Sequence, residues 1–126
     1  MCPIDEKTLK LRSALYFCTY SENYYTNKNL SYQYTDGVKI FCETAGTYWL
    51  LDLVENVIKF KKELISDTDL ITITLIIKED YIPKIAFRKG VKIIHYQDIP
   101  YTDCPKGKWK FCYRKKVLFW NTEYEP

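Results

Sequence analysis

The chain has 126 residues, 47% of them hydrophobic, and a formal charge of +3, a size and composition that suit one compact domain, residues 1–126, without a linker. Cys2, Cys18, Cys42, Cys104 and Cys112 are odd in number and contain no C-x-x-C pair, which argues against a disulfide framework or a zinc ribbon and leaves reduced thiols as the expectation. Met1 to Glu6 turns charged at once with no apolar h-region behind it, and the longest apolar run, Leu70 to Ile77, is broken by threonines, so we expect a soluble, cytoplasmic protein without a membrane segment.

In chain order, Leu9, Leu11, Leu15, Tyr16 and Phe17 predict a first helix from about Glu6 to Phe17, with Asp5 as its N-cap. The asparagine-rich stretch Ser21 to Ser31 reads as a long loop. After Tyr34-Thr35-Asp36-Gly37, the i, i+3, i+4, i+7 spacing of Val38, Phe41, Cys42 and Ala45 predicts a short helix over Gly37 to Thr44. Thr35 or Asp36 stands where an N-cap oxygen belongs, and Gly46 where a left-handed C-cap belongs. Thr47 to about Ile65 reads as the central helix, with Leu50, Val54, Val57, Ile58 and Ile65 on one stripe, widened by Trp49, Leu53 and Phe60. Asp52 and Glu55 are the charges set among these apolar residues.

From Asp67 the period changes to two. Ile71, Ile73, Leu75 and Ile77 alternate with Thr72, Thr74, Ile76 and Lys78, the pattern of a strand with one face on a core. Pro83 opens a second strand through Arg88, and Lys89-Gly90 reads as a tight turn into Val91 to Gln97. Trp109 to Arg114 and Val117 to Trp120 form a further hairpin around Arg114-Lys115-Lys116. Helices first and a meander afterwards indicate an α+β fold, with N-terminal helices packed on one face of a four- to five-stranded antiparallel sheet.

Three constellations bear on chemistry. His95, the sole histidine, is expected on the strand face of Val91, Ile93 and Gln97, with Asp103 and Cys104 a short loop later. A Cys104 nucleophile with His95 as base is a known arrangement in principle, but Pro105 leaves no backbone N–H beside it for an oxyanion site. Carboxylates in aromatic surroundings, with Tyr34, Asp36, Trp49, Asp52, Tyr101 and Asp103 as the lining of a candidate pocket, are the second; turn-capping by Asp103 between Pro100 and Pro105 is the plainer reading. Neither a D-x-D-x-D-G series nor a glycine-rich phosphate loop occurs among the isolated Gly37, Gly46, Gly90 and Gly107, so no metal and no cofactor is expected.

The third is charge. Residues up to Pro83 carry a net −3, whereas Lys84 to Lys116 carries +8 and Val117 to Pro126 −2. A basic segment of this kind suits a polyanion or an acidic protein, and solvated lysines protecting sheet edges account for it equally well. Its candidate contacts are Arg88, Lys89, Lys92, Lys106, Lys108, Lys110, Arg114, Lys115 and Lys116. Trp109, Phe111 and Tyr113 alternate with Lys108, Lys110 and Cys112, so a stacking surface for single-stranded nucleic acid is geometrically open, although rings packed on a helical layer fit the same alternation better.

The order YTDGVKIFCETAGTYWLLDLVENV, IPYTDCP and VLFWNTEY resembles a family of short bacterial, plasmid and phage proteins catalogued as a domain of unknown function. Its marks are T-D-G-V, G-x-Y-W-L-L-D, I-x-Y-T-D-F-P and a closing S-E-Y, and the likeness runs from about Leu15 to Tyr124. Cys104 stands where the family shows phenylalanine, which suggests a packing position, and Thr122 where it shows serine. The resemblance carries no activity; it implies an accessory role of a mobile element, such as interference with a host system.

The expectation is therefore a non-catalytic protein-interaction module that acts on a protein partner, an inhibitor of a host nucleic-acid-handling or defence system being one form of it. A direct nucleic-acid binder using residues 84–116 is the alternative, and a small hydrolase using Asp103 or Cys104 a minor one. The two Tyr-Thr-Asp triplets are read as shape-giving, one a helix start and the other a proline-bounded turn.

Overall fold

The computed structural model describes residues 6–16, 18–79, 81–100, 102 and 104–123. The proposed cap Asp5, the helix-end residue Phe17, and Tyr101 and Asp103 of the candidate pocket lie outside the described residues. Three helices, α1 (Glu6–Leu15), α2 (Asp36–Ala45) and α3 (Trp49–Phe60), accompany seven strands. The strands are β1 (Tyr24–Tyr25), β2 (Gln33–Thr35), β3 (Ile71–Ile77), β4 (Lys84–Lys89), β5 (Lys92–Asp98), β6 (Gly107–Arg114) and β7 (Val117–Trp120). They form one sheet in the order β1-β2-β7-β6-β3-β4-β5. The α+β class holds, but the sheet has seven strands and is mixed, because β2 runs parallel to β7, pairing Gln33 with Val117 and Tyr34 with Leu118. Of the two added strands, β1 lies in the stretch read as a loop and β2 just before the helix start at Asp36; two and three residues are too short to display a period, and parallel pairing with a strand some eighty positions away has no local signature.

β3 is the spine. It pairs antiparallel with β4 and β6, and its odd-numbered isoleucines and Leu75 are buried while Thr72, Thr74 and Ile76 are only partly covered. In register with the buried side stand Trp109, Phe111 and Tyr113 of β6 and Ile85 and Phe87 of β4, all buried. Phe41 of α2 sets its ring edge-to-face in this layer, 4.9 Å from Phe111 and 5.6 Å from Trp109 between centroids. The Trp109 indole N–H donates to the Pro105 carbonyl at 2.9 Å, so even this polar atom is satisfied in the core. The rings of the basic stretch are thus core, as alternation on a half-buried strand predicts.

Turn chemistry follows the sequence at two places and departs from it at a third. Gly46 ends α2 in the left-handed region at φ 68°, and Gly90 turns β4 into β5 at φ 62°. The β6–β7 turn places Lys115 and Lys116 at φ 51° and 60°, conformations that cost a side-chain-bearing residue and favour Asn-Gly. One expectation fails in β5. A bulge shifts the register, so that His95 faces Phe87 while Ile93 faces Arg88, and Ile93 leaves the face that His95 shares with Gln97. Val91 belongs to the turn before β5 and is fully exposed.

Candidate functional site

The Tyr34-Thr35-Asp36-Gly37 segment is a junction. Thr35 occupies the N-cap position of α2 but makes no side-chain cap bond; its hydroxyl donates instead to Glu123 Oε1 at 2.5 Å. The capping oxygen comes from Glu123, whose Oε2 accepts the Gly37 N–H at 3.2 Å while Oε1 also accepts the Trp120 N–H at 2.7 Å. Glu123 is only 5% exposed, and its charge sits at the positive end of a helix dipole with three donors around it. A Cβ on Gly37 would lie 2.7 Å from Glu123 Oε1 and from Trp120 Cβ, so glycine is required for this approach. The closing Thr-Glu therefore folds back onto the Thr-Asp-Gly start, and the Thr122 hydroxyl ties the same end to the Cys18 carbonyl at 2.8 Å.

Asp36 faces the other way. Its Oδ2 accepts the N–H groups of Glu22 at 2.9 Å and Asn23 at 3.2 Å, and its Oδ1 the Tyr25 hydroxyl at 2.8 Å. Partial burial pushes its carboxyl up, but the Tyr25 hydroxyl and the two N–H bonds outweigh that and hold it below the usual carboxylate range. Glu55 does similar work at α3, accepting from the Ser31 N–H and hydroxyl, with Lys59 at 3.4 Å. These carboxylates are saturated by the folds of the chain they hold, and the first triplet is shape-giving as expected, with Glu123 rather than Thr35 or Asp36 as the cap.

The candidate pocket does not assemble as one site. Trp49 and Asp52 line a groove of about 580 Å³ between α3 and β5, with Phe60 of α3 and His95, Gln97 and Ile99 of the sheet side. Tyr34 and Asp36 belong to the β1–β2 end of the fold. His95 Nε2 lies 2.7 Å from Gln97 Oε1, and its ring stands edge-on to Phe87. Cys104 is buried, and burial, followed by the neighbouring Cys42, pushes its thiol up to about 12. A protonated core thiol is a poor nucleophile. Among the described residues no group of three histidines, cysteines or carboxylates is placed to hold a metal ion. No helix among them is long and apolar enough to cross a membrane.

The basic residues separate into groups. Lys89 pairs with Asp69 at 2.9 Å, and Lys106 with Glu79 at 3.3 Å. Lys92, Lys115 and Lys116 are exposed at hairpin ends. Arg88, Lys108, Lys110 and Arg114 share the sheet face turned away from the helices. Across that face the registers run Arg88–Thr72–Cys112, Ala86–Thr74–Lys110 and Lys84–Ile76–Lys108. Lys84 is paired with Asp98 at 2.7 Å, and the Arg114 Nε–H donates to the Thr68 carbonyl at 3.1 Å. Ile93 and Tyr96 of β5 complete the face, 50% and 51% exposed. Sequence reading left Lys84 out of the candidate contacts and gave His95 and Gln97 a shared strand face but no groove. The period-two alternation that placed Lys108 and Lys110 would also have placed Lys84, whereas the packing of α3 beside β5 has no local signal.

No curated protein and no solved structure matches this chain. A family model covers residues 9–124, and the chain belongs to the family of unknown function DUF6876.

Proposed function

We propose that this protein is a non-catalytic binding module that presents the uncovered face of its sheet to an acidic protein partner. One observation carries the reading: the centre of that face is uncharged and β-branched, with Thr72, Thr74 and Ile76 partly covered, while Lys108 and Lys110 flank it on one side and Arg88 on the other. A centre without charges inside a charged rim is the anatomy of a protein interface. The exposed Tyr96 adds an aromatic anchor. An accessory protein that blocks a host machine by covering its acidic surface would need such a face. Nucleic acid is the weaker reading, because the rings that would stack on bases are buried in the core.

The test is binding of two labelled probes across a salt series. One is a peptide alternating glutamate with valine, the other DNA and RNA oligonucleotides, with an Arg88→Glu/Lys108→Glu/Lys110→Glu variant as control. The peptide should bind more tightly than either nucleic acid, keep most of its affinity at high salt, and lose it in the variant. Three phosphate contacts alone would lose about 40-fold in affinity between 50 and 200 mM salt. Oligonucleotides binding more tightly than the peptide with a slope of that size would overturn the reading in favour of a nucleic-acid binder.

A further inference from the structure

We infer that the groove between α3 and β5 is a second binding site, taking an extended peptide that carries a lysine or arginine and adds to β5 as an eighth strand. β5 is the last strand of the sheet and, among the described residues, pairs only with β4. The Ile99 N–H points inward to the Pro83 carbonyl at 2.7 Å, so the alternation of the strand turns the backbone N–H and C=O groups of Tyr96 and Asp98 outward. Beyond the bulge, His95 to Asp98 run in unbroken register with β4 and contain no proline, and this stretch of edge is a template for strand addition.

Beside this edge the groove supplies places for alternate side chains. Trp49, Asp52, Asn56 and Phe60 recur along α3 at helical spacing and line it, and their run of about 16 Å accommodates about five residues of extended chain. Phe60 is 80% exposed, an apolar ring that meets only the Lys61 ammonium, 5.3 Å from its centroid, among the ring contacts of the described residues. Charge selects the occupant. Asp52 is the one carboxylate of the lining, which holds no lysine or arginine, and it has no hydrogen-bond or ion-pair partner among the described residues. One turn before it stands the Trp49 ring, so a carboxylate and an aromatic face are adjacent, a pair that recognises a cationic side-chain head. His95 and Gln97, bonded to each other on the sheet side, offer a polar wall opposite. This site prefers basic segments, the reverse of the uncovered face, and stands whether or not that face binds acidic proteins.

The experiment is selection from a phage-displayed library of random octapeptides on the whole protein, followed by affinity measurement on the selected synthetic peptides. The expected consensus has an apolar residue and a lysine or arginine at alternate positions. Asp52→Asn should weaken these peptides roughly tenfold or more, whereas Arg88→Glu/Lys108→Glu/Lys110→Glu should not. Methylating the peptide's alternate backbone nitrogens, which blocks strand pairing without touching the protein, should abolish binding in one phase and leave it in the other. Selected peptides that are acidic, that ignore Asp52→Asn, or that tolerate methylation in both phases would overturn the proposal. So would a library that yields no binder, or a β5-to-β5 dimer in sedimentation, which would make a second copy the occupant.

Discussion

Asp36 and Asp52 look alike in the sequence, each an aspartate set among aromatic and apolar neighbours, yet they stand at opposite ends of the sheet and do opposite things. Asp36, beside β1 and β2, is wrapped by the N–H groups of Glu22 and Asn23 and by the Tyr25 hydroxyl. Asp52, beside β5, faces a groove and has no such partner among the described residues. A carboxylate whose acceptor capacity is filled by its own chain is spent on folding; one left open on a groove wall is available to a ligand.

Substitutions at the filled end should therefore be expensive, and that at the open end nearly silent. Gly37→Ala should cost the most, about 3 kcal/mol in urea unfolding, because the methyl group meets both Glu123 and Trp120 Cβ and displaces the cap of α2. Glu123→Gln keeps the size but turns one acceptor into a donor facing N–H groups, and should cost about 2 kcal/mol. Asp36→Asn should cost about 1 kcal/mol at neutral pH. Its pH dependence sharpens the contrast: a carboxyl held low in the folded state adds stability above its unfolded value of about 3.9, lost as the pH falls through the folded value. The variant should accordingly lose part of the acid limb of the wild-type stability curve. Lys115→Asn with Lys116→Gly should change stability by about 1 kcal/mol in the favourable direction, since both positions hold positive φ. Asp52→Asn should leave unfolding within about 0.5 kcal/mol of wild type.

The helices and the five longer strands were legible because each carries its own period. Ile71 to Ile77 alternates cleanly, and Val38, Phe41, Cys42 and Ala45 mark a helix face. Gly46 and Gly90 announced their positive φ. What could not be read was non-local. β2 is three residues that become a strand only against Val117 and Leu118. Glu123 becomes a cap only when the chain end returns to Gly37. Of the pocket proposed from sequence, Trp49 and Asp52 lie one helical turn apart and remain together, whereas Tyr34 and Asp36 were grouped with them as a carboxylate in aromatic surroundings, a likeness that carries no distance. The bulge at β5 had no residue signature either; without it Ile93 would have shared the His95 face.

The most direct test of the account is an amide chemical-shift titration of isotope-labelled protein with the glutamate–valine peptide. The account predicts shifts concentrated at Thr72, Thr74, Ile76, Lys108 and Lys110, with Tyr25, Asp36 and Glu123 unmoved. Shifts centred on the Thr35–Asp36–Gly37 corner, or none on the uncovered face at saturating peptide, would contradict it.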